Sequence, residues 1–414
     1  MTQYWVWLGE VLGRGSAKLP AVLSCFGSPK ALFDAQEQQV CTCGIFSDRE
    51  LAAIRQHALA PAQATVERCR QIGCTILTPD MAAYPKRLLT IPDPPCALYL
   101  RGTLPDLDNE VAVTVVGPRN ATDKGVRAAA SLAARLTVSG CVIVTGAARG
   151  IDCAALQGAV AAFGKPISIV PCGPDSDYPN DTLTLRNDIV KLGGCVLSEC
   201  PPGTRYGKGA FHTRNRILAG LSQATVVVEA AAQSGALITA GCAATQGRDV
   251  FVIPGEIHSP AHVGSNALLQ DGARPLLEAA DILLEYVNTY PHKLNLIAAK
   301  EPFSDEIRER LRGVLRGRKP SKNQTVKHTS HAADEKPRPT AVQKRDTSAL
   351  NETARAVLQT LEGAALPPDL IADRTGLAVG QVLTALIELE LLGFVRSLPG
   401  GRFELADWRL ENAA

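Results

Sequence analysis

Val111-Ala-Val-Thr-Val-Val116-Gly117-Pro118-Arg119 and Cys141-Val-Ile-Val-Thr145-Gly146-Ala-Ala-Arg-Gly150-Ile-Asp152 decide the fold. Each opens with an almost unbroken run of β-branched and apolar residues that stops abruptly at glycine. A strand with one wet face alternates apolar and polar residues, whereas an unbroken run suits a strand covered on both faces. Helical patterning follows each run, to about Leu136 after the first and around Asp152–Phe163 after the second. The same sequence of events recurs at Pro166-Ile-Ser-Ile-Val170, Gly194-Cys-Val-Leu-Ser198, Thr225-Val-Val-Val-Glu229 and Asp249-Val-Phe-Val-Ile253. Strand and helix in alternation predict an α/β, Rossmann-like core with a mostly parallel sheet and right-handed crossovers. Ligands of such sheets lie outside the carboxyl ends of the strands.

Working outward, this core is expected over residues 76–290. It includes a proline-rich lead-in, Tyr84–Pro95, whose prolines exclude regular structure, and the strand-like Cys96–Leu100. Residues 1–75 read as short helices broken at Leu12-Gly-Arg-Gly15 and Cys25-Phe-Gly-Ser28, a pattern suited to a small SAM-like or helix-hairpin-helix-like domain. Residues 300–349 read as a basic flexible linker. Within it, positions 308–346 hold 12 Lys or Arg against 4 Asp or Glu, a composition that resists packing and can serve as an electrostatic arm. Residues 350–410 read as a winged helix. Helices are expected at Thr353–Leu361, Leu366–Arg374 and Val379–Leu392, with a turn at Gly376 and a hairpin wing at Phe394–Glu404. The helix in the recognition position offers Gln381, Thr384, Glu388 and Glu390 as its polar residues. Carboxylates there repel phosphates, which favours a protein contact, or weak DNA contact through Arg396 and Arg402 of the wing.

Composition bounds the partners. The chain has 414 residues, 46% of them hydrophobic, which is enough for a sizeable core in more than one domain. The formal net charge is only +2, so a polyanion has to be met by a local patch. The 12 cysteines form no repeating framework. Cys41-Thr-Cys43 and the pair Cys69 and Cys74 lack CxxC spacing with interleaved histidine, so no metal is expected. Met1–Trp7 carries no secretory pattern and no run of apolar residues is long enough to span a bilayer. A cytoplasmic protein without membrane association is expected.

Four strand-end loops carry the chemistry. In the first, Gly117 permits close backbone approach, and Arg119 projects a permanently charged guanidinium suited to phosphate. In the second, Gly146 and Gly150 flank a helix start, whose amides favour anions. The pattern is neither GxGxxG nor GxxxxGK[ST], so no nicotinamide or nucleotide cofactor is expected, and helix capping is the expected role of Asp152. The third, Tyr206-Gly-Lys208-Gly-Ala-Phe211-His-Thr-Arg214-Asn215-Arg216, interleaves basic residues with one aromatic. Lys208 and Arg214 can hold successive phosphates while Phe211 stacks an unpaired base. In the fourth, Ser234-Gly235 opens another helix after a buried strand. His212, His258 and His262 have no nucleophile beside them in the sequence, so a binding groove is expected rather than a reaction centre.

These loops resemble one family. Val116-Gly-Pro-Arg119, Thr145-Gly-Ala-Ala-Arg-Gly-Ile-Asp152, Asp177-Tyr-Pro179, Leu197-Ser-Glu199, Phe211-His-Thr-Arg-Asn-Arg-Ile217, Ser234-Gly-Ala-Leu-Ile-Thr239 and Val252-Ile-Pro-Gly255 are similar in order and spacing to the DprA/Smf proteins. Tyr84-Pro85 and Ile91-Pro-Asp-Pro-Pro95 fit the family's lead-in. The resemblance implies a homodimer that binds single-stranded DNA, takes part in natural transformation and recombination, and loads the RecA recombinase. It places the family's DNA-contacting arginine at Arg119, its lysine at Lys208 and its stacking phenylalanine at Phe211, with Arg214 and Asn215 in the neighbouring basic-polar motif. Pro118 stands where the family usually has serine, and Thr145-Gly146 replaces its Ser-Gly turn, with no loss of charge. The alternative is a Rossmann-like nucleotide-binding enzyme of the phosphoribohydrolase type. That reading requires Pro-Gly-Gly-x-Gly-Thr followed by Glu, and the nearest stretch here, Gln233–Thr239, has one glycine and no following acid.

Overall fold

The computed structural model describes residues 1–207, 209–316, 351–361, 366–391, 394–398 and 402–405. The chain divides into two compact units, Met1–Ser321 and Lys322–Ala414. The first is built on a sheet of nine strands among the described residues. They are β1 (Thr75–Leu77), β2 (Leu98–Gly102), β3 (Ala112–Val116), β4 (Val142–Thr145), β5 (Ile167–Ile169), β6 (Cys195–Ser198), β7 (Ala224–Val227), β8 (Asp249–Val252) and β9 (Arg274–Pro275). Their order across the sheet is β1-β2-β6-β5-β4-β3-β7-β8-β9. From β6 to β9 every pairing is parallel, while β2 joins β6, and β1 joins β2, antiparallel.

This is the α/β architecture expected from the unbroken apolar runs. The chain builds leftward from β3 through β4 and β5 to β6, then returns to the other side of β3 with β7. That reversal opens a crevice between the carboxyl ends of β3 and β7, the place where doubly wound sheets bind ligands. The sequence pattern missed β1 and β9. They have 3 and 2 residues, too short for a periodic signal, and β9 is exposed and contains a proline. Lys86–Leu88 forms a single 3-10 turn inside the proline-rich lead-in, where no regular structure was expected.

Alanine-rich helices cover one face. Asp123–Val138 and Ile151–Ala161 approach so closely that a Cβ on Gly158 would lie 2.1 Å from the Ala130 carbonyl oxygen. Ala279–Tyr286 and Asp305–Arg316 complete that layer. The last of these corrects the expected linker of 300–349 at its beginning. Ile307 and Leu311, one helical turn apart, are buried against the core together with Phe303 and Leu315, so this basic stretch packs as an amphipathic helix. Residues 317–350 lie outside the described residues. Ala210–Leu221, Gly235–Thr245 and the lead-in residues Tyr84, Leu88 and Ile91 cover the opposite face. The N-terminal helices bury Trp5, Trp7, Leu8 and Leu32 in a cluster that continues into Ile76 of β1 and Tyr99 of β2. No single described helix is long and apolar enough to cross a membrane.

The second unit is a winged helix. Glu352–Thr360, Pro368–Thr375 and Val379–Leu391 enclose Val357, Leu361, Ile371, Val382, Leu386 and Leu389. Gly376 ends the middle helix at φ 70°, a conformation that costs glycine nothing. β10 (Val395–Leu398) pairs antiparallel with β11 (Arg402–Leu405), and Leu366 closes onto Phe403 by two backbone hydrogen bonds of 2.9 and 2.8 Å. The glycine turn of the wing and the side chains of Arg396 and Arg402 lie outside the described residues.

Candidate functional site

A cavity of about 530 Å³ opens at the β3–β7 crevice. Its floor is one face of the helix Ala210–Leu221, which presents Phe211, Arg214, Asn215 and Leu218. The sequence reading treated Tyr206–Arg216 as one loop. The structure starts the helix at Ala210, because Ile217, Leu218 and Leu221 continue the turn-by-turn apolar spacing and bury against the sheet. Gly209, at φ 82°, makes the left-handed bend before it.

Arg119 leaves the end of β3, is exposed, and has no carboxylate partner among the described residues. Its guanidinium carbon lies 4.2 Å from the Phe211 ring centroid. Phe211 is half-buried. Asn215 is 7% exposed, and its amide makes no hydrogen bond among the described residues. Across the crevice, Ser234 caps the helix Gly235–Thr245, its hydroxyl accepting from the Ala236 N–H at 3.3 Å. Gly235 stands open, with nothing near the place a Cβ would occupy. The cavity therefore gathers Gly117, Arg119, Phe211, Arg214 and Asn215, with Ser234 and Gly235 on the far wall. Lys208 lies outside the described residues.

The glycines of the first two loops have structural work of their own. A Cβ on Gly117 would lie 2.4 Å from the Ile151 side chain. One on Gly150 would meet the carbonyl oxygens of Pro118 and Arg119 at 2.2 and 2.6 Å, and Gly150 has φ 91°. Ile151 N–H donates to the Pro118 carbonyl at 3.3 Å. The two loops are thus interlocked, and the lock decides where Arg119 emerges. Gly146 makes room for the Arg214 guanidinium, which would lie 2.1 Å from a Cβ there. Gly146 and Gly150 do not line the cavity.

Arg214 is only 6% exposed. It reaches beneath Phe211, with its guanidinium carbon 5.5 Å from that ring, and donates to the Ile169 carbonyl at the end of β5. Burial lowers its pKa to about 10, opposed by the charge of Asp152 and assisted by that of Arg119. Asp152 is the buried counter-charge. Desolvation raises its pKa to about 6 against the attraction of Arg214 and a hydrogen bond from the Ala148 N–H at 3.3 Å. It sits in the first turn of its helix, whose N-cap position is held by Gly150. Arg216 is likewise committed, paired with Asp93 at 2.9 Å and Glu199 at 2.6 Å.

Two further groups escaped the sequence reading. Glu229, at the end of the expected run Thr225–Glu229 and 1% exposed, accepts from the Thr122 N–H at 3.0 Å and from the Thr122 hydroxyl. Thr122 in turn caps the helix Asp123–Val138 by accepting from the Gly125 N–H at 3.0 Å, so Glu229 steadies the far end of the Arg119 loop. Tyr178 and Tyr206 stack beside Phe211. Tyrosine among turn residues was the only available signal, and nothing local says that these two meet.

Residues 75–287 match the family described as DNA recombination-mediator protein A, and residues 340–401 match the DprA winged helix domain. Protein Smf of Synechocystis is 31% identical over 97% of this chain and 98% of its own length. Protein Smf of Escherichia coli is 32% identical over 80% of this chain and 77% of its own length. The X-ray structure of DNA processing protein A from Streptococcus pneumoniae matches with a TM-score of 0.60 at 30% identity, covering 69% of this chain and 98% of that one.

Proposed function

The chain belongs to the DNA recombination-mediator protein A family, the DprA/Smf proteins, and from that membership we propose that its β3–β7 crevice binds single-stranded DNA without reading its sequence. The observation that carries this is the pairing of an exposed, carboxylate-free Arg119 with the half-buried ring of Phe211 at the mouth of an open cavity. A phosphate draws the guanidinium, and the ring it leaves stacks an unpaired base. Stacking tolerates any base, because every base has a π-face. The helix start at Ser234-Gly235 supplies amides to a second phosphate, and the Asn215 amide reaches a base edge or sugar. Arg214 contributes positive potential from below. Lys208 adds a phosphate contact from the neighbouring loop. Duplex DNA keeps its bases stacked inside and cannot use Phe211.

In this reading the protein is a non-catalytic mediator. It acts in the cytoplasm as a homodimer, holds incoming or exposed single strands and passes them to RecA. Asp152, which accepts from the Ala148 N–H and feels the charge of Arg214, and Glu229, which accepts from Thr122, serve the scaffold. The test is an anisotropy titration of the full chain against labelled oligothymidylate and a matched duplex at two salt concentrations. Tight, salt-sensitive binding of the single strand with weak duplex binding supports the reading. Binding of duplex alone, or of neither, overturns it. RecA filament formation on single strands coated with a competing binding protein then tests the loading step.

A further inference from the structure

The sheet order aligns more than the crevice. Along β6-β5-β4-β3-β7, the carboxyl-end loops carry in turn Tyr206, Tyr178, Arg149, Arg119 and Ser234. Tyr178 and Tyr206 come from different loops and stack with ring centroids 4.4 Å apart and planes within 15°. Tyr206 meets Phe211 edge-on at 5.2 Å. The three rings therefore form one continuous aromatic surface leading away from Arg119.

Both loops are pinned. The Arg186 guanidinium donates to the Ser176 and Asp177 carbonyls, each at 3.1 Å, and to that of Pro179 at 3.3 Å. Asp175 accepts from the Gly203 N–H at 2.8 Å and pairs with Arg68 at 3.0 Å. Tyr178 is half-buried against the apolar cluster around Leu156 and Val170. Tyr206 lies on it and is still 40% exposed, as a ring is when one face is backed and the other meets solvent. Arg205, next to Tyr206 in the chain, and Arg149, on the loop after β4 that follows along the same edge, are exposed and have no ion-pair partner among the described residues. A large ring held rigidly in solvent, backed by another ring and flanked by unpaired cations, is the arrangement that stacks a nucleobase and holds its phosphates.

We propose that Tyr206, backed by Tyr178, is a second nucleobase subsite, which a single strand engages after passing Phe211. The proposal rests on the crevice being a single-strand groove. Its consequence is that the strand runs along the carboxyl edge toward β6, with Arg149 and Arg205 as phosphate contacts on the way.

The test uses the full chain with Tyr206→Ala, Tyr206→Trp and Phe211→Ala, and two labelled probes: an oligothymidylate of about twenty nucleotides and an abasic deoxyribose-phosphate strand of equal length. Tyr206→Ala is expected to bind oligothymidylate roughly 5- to 100-fold more weakly, to leave the abasic strand unchanged, and to be rescued by Tyr206→Trp. Equal losses on both probes would make the ring a prop for its loop and overturn the subsite. So would full affinity in Tyr206→Ala while Phe211→Ala loses its preference for bases, because the strand then leaves by another route. A wild-type protein with no affinity for oligothymidylate overturns the groove reading itself, and the subsite with it.

Discussion

Arginine is the residue on which the site turns, and its three copies near Phe211 are not equivalent. Among the described residues, Arg119 is exposed without an ion-pair partner, Arg214 is buried on a backbone carbonyl, and Arg216 is locked between Asp93 and Glu199. Only the first has a guanidinium free to release counterions from a strand. Arg119→Ala should therefore weaken single-strand binding and reduce the slope of log affinity against log salt by about 0.7, the share of one phosphate contact. An unchanged slope, measured by anisotropy across a salt series, would remove Arg119 from the contact set. Asp152 gives a prediction on stability. Its carboxyl is raised by burial to about 6 from a value of 3.8 in the unfolded chain. A raised carboxyl favours the folded state fully below the unfolded value, and that advantage is lost as pH climbs through the folded one. The wild type should thus lose about 3 kcal/mol relative to Asp152→Asn between pH 3 and pH 7. Parallel urea-unfolding profiles for the two proteins over that range would refute the assignment.

Elements position these side chains by interlocking. The loop after β3 rests on the helix start after β4 through Gly117 and Gly150, and its far end is anchored by Thr122 on Glu229. Gly150→Ala puts a Cβ against the Pro118 carbonyl at a backbone angle that only glycine tolerates. It should cost roughly 1–3 kcal/mol in strain, lowering the melting temperature and weakening single-strand binding together as Arg119 is displaced. Loss of stability at full affinity would mean that the lock does not set the position of Arg119. In the winged helix, the polar groups of Val379–Leu391 are turned to local use. Gln381 accepts from the Ala378 N–H at 3.1 Å, the Thr384 hydroxyl donates to the Gly380 carbonyl at 2.9 Å, and Glu388 accepts from the Asn351 amide at 3.1 Å. Val379 and Leu383 are exposed on the same helix. An apolar and acidic recognition helix is better suited to a protein surface than to a DNA groove.

At the scale of the whole molecule, the first unit exposes apolar residues that its own core does not need. Leu284 and Ile297 line a groove of about 600 Å³, and Leu277, just before that helix, is 81% exposed. Exposed apolar patches mark interaction surfaces, and the homodimer of the proposed function needs one. Leu284→Arg is expected to convert a dimer into a monomer in sedimentation velocity at micromolar concentration. A dimeric variant would place the interface elsewhere.

The sequence by itself determined the layers. A strand sandwiched between helices must be apolar on both sides, so the runs at Val111–Val116 and Cys141–Thr145 announce their covering before any contact is known. The parallel sheet, its carboxyl edge and the place of Arg119 at a strand end all follow from that local pattern, as does the winged helix from its turn at Gly376. Tertiary structure alone decided which charges are free. Arg119, Arg214 and Arg216 look alike along the chain, and the partners of the last two, Ile169 for Arg214 and Asp93 and Glu199 for Arg216, arrive from distant segments. It also decided that Tyr178 and Tyr206, 28 positions apart in the sequence, share a stack, and that a basic stretch after Asp305 packs as a helix. Periodicity is imposed on a segment by the layer above and below it, so it is written locally. The availability of a charge or a ring depends on what the fold brings beside it, and that is written only in three dimensions.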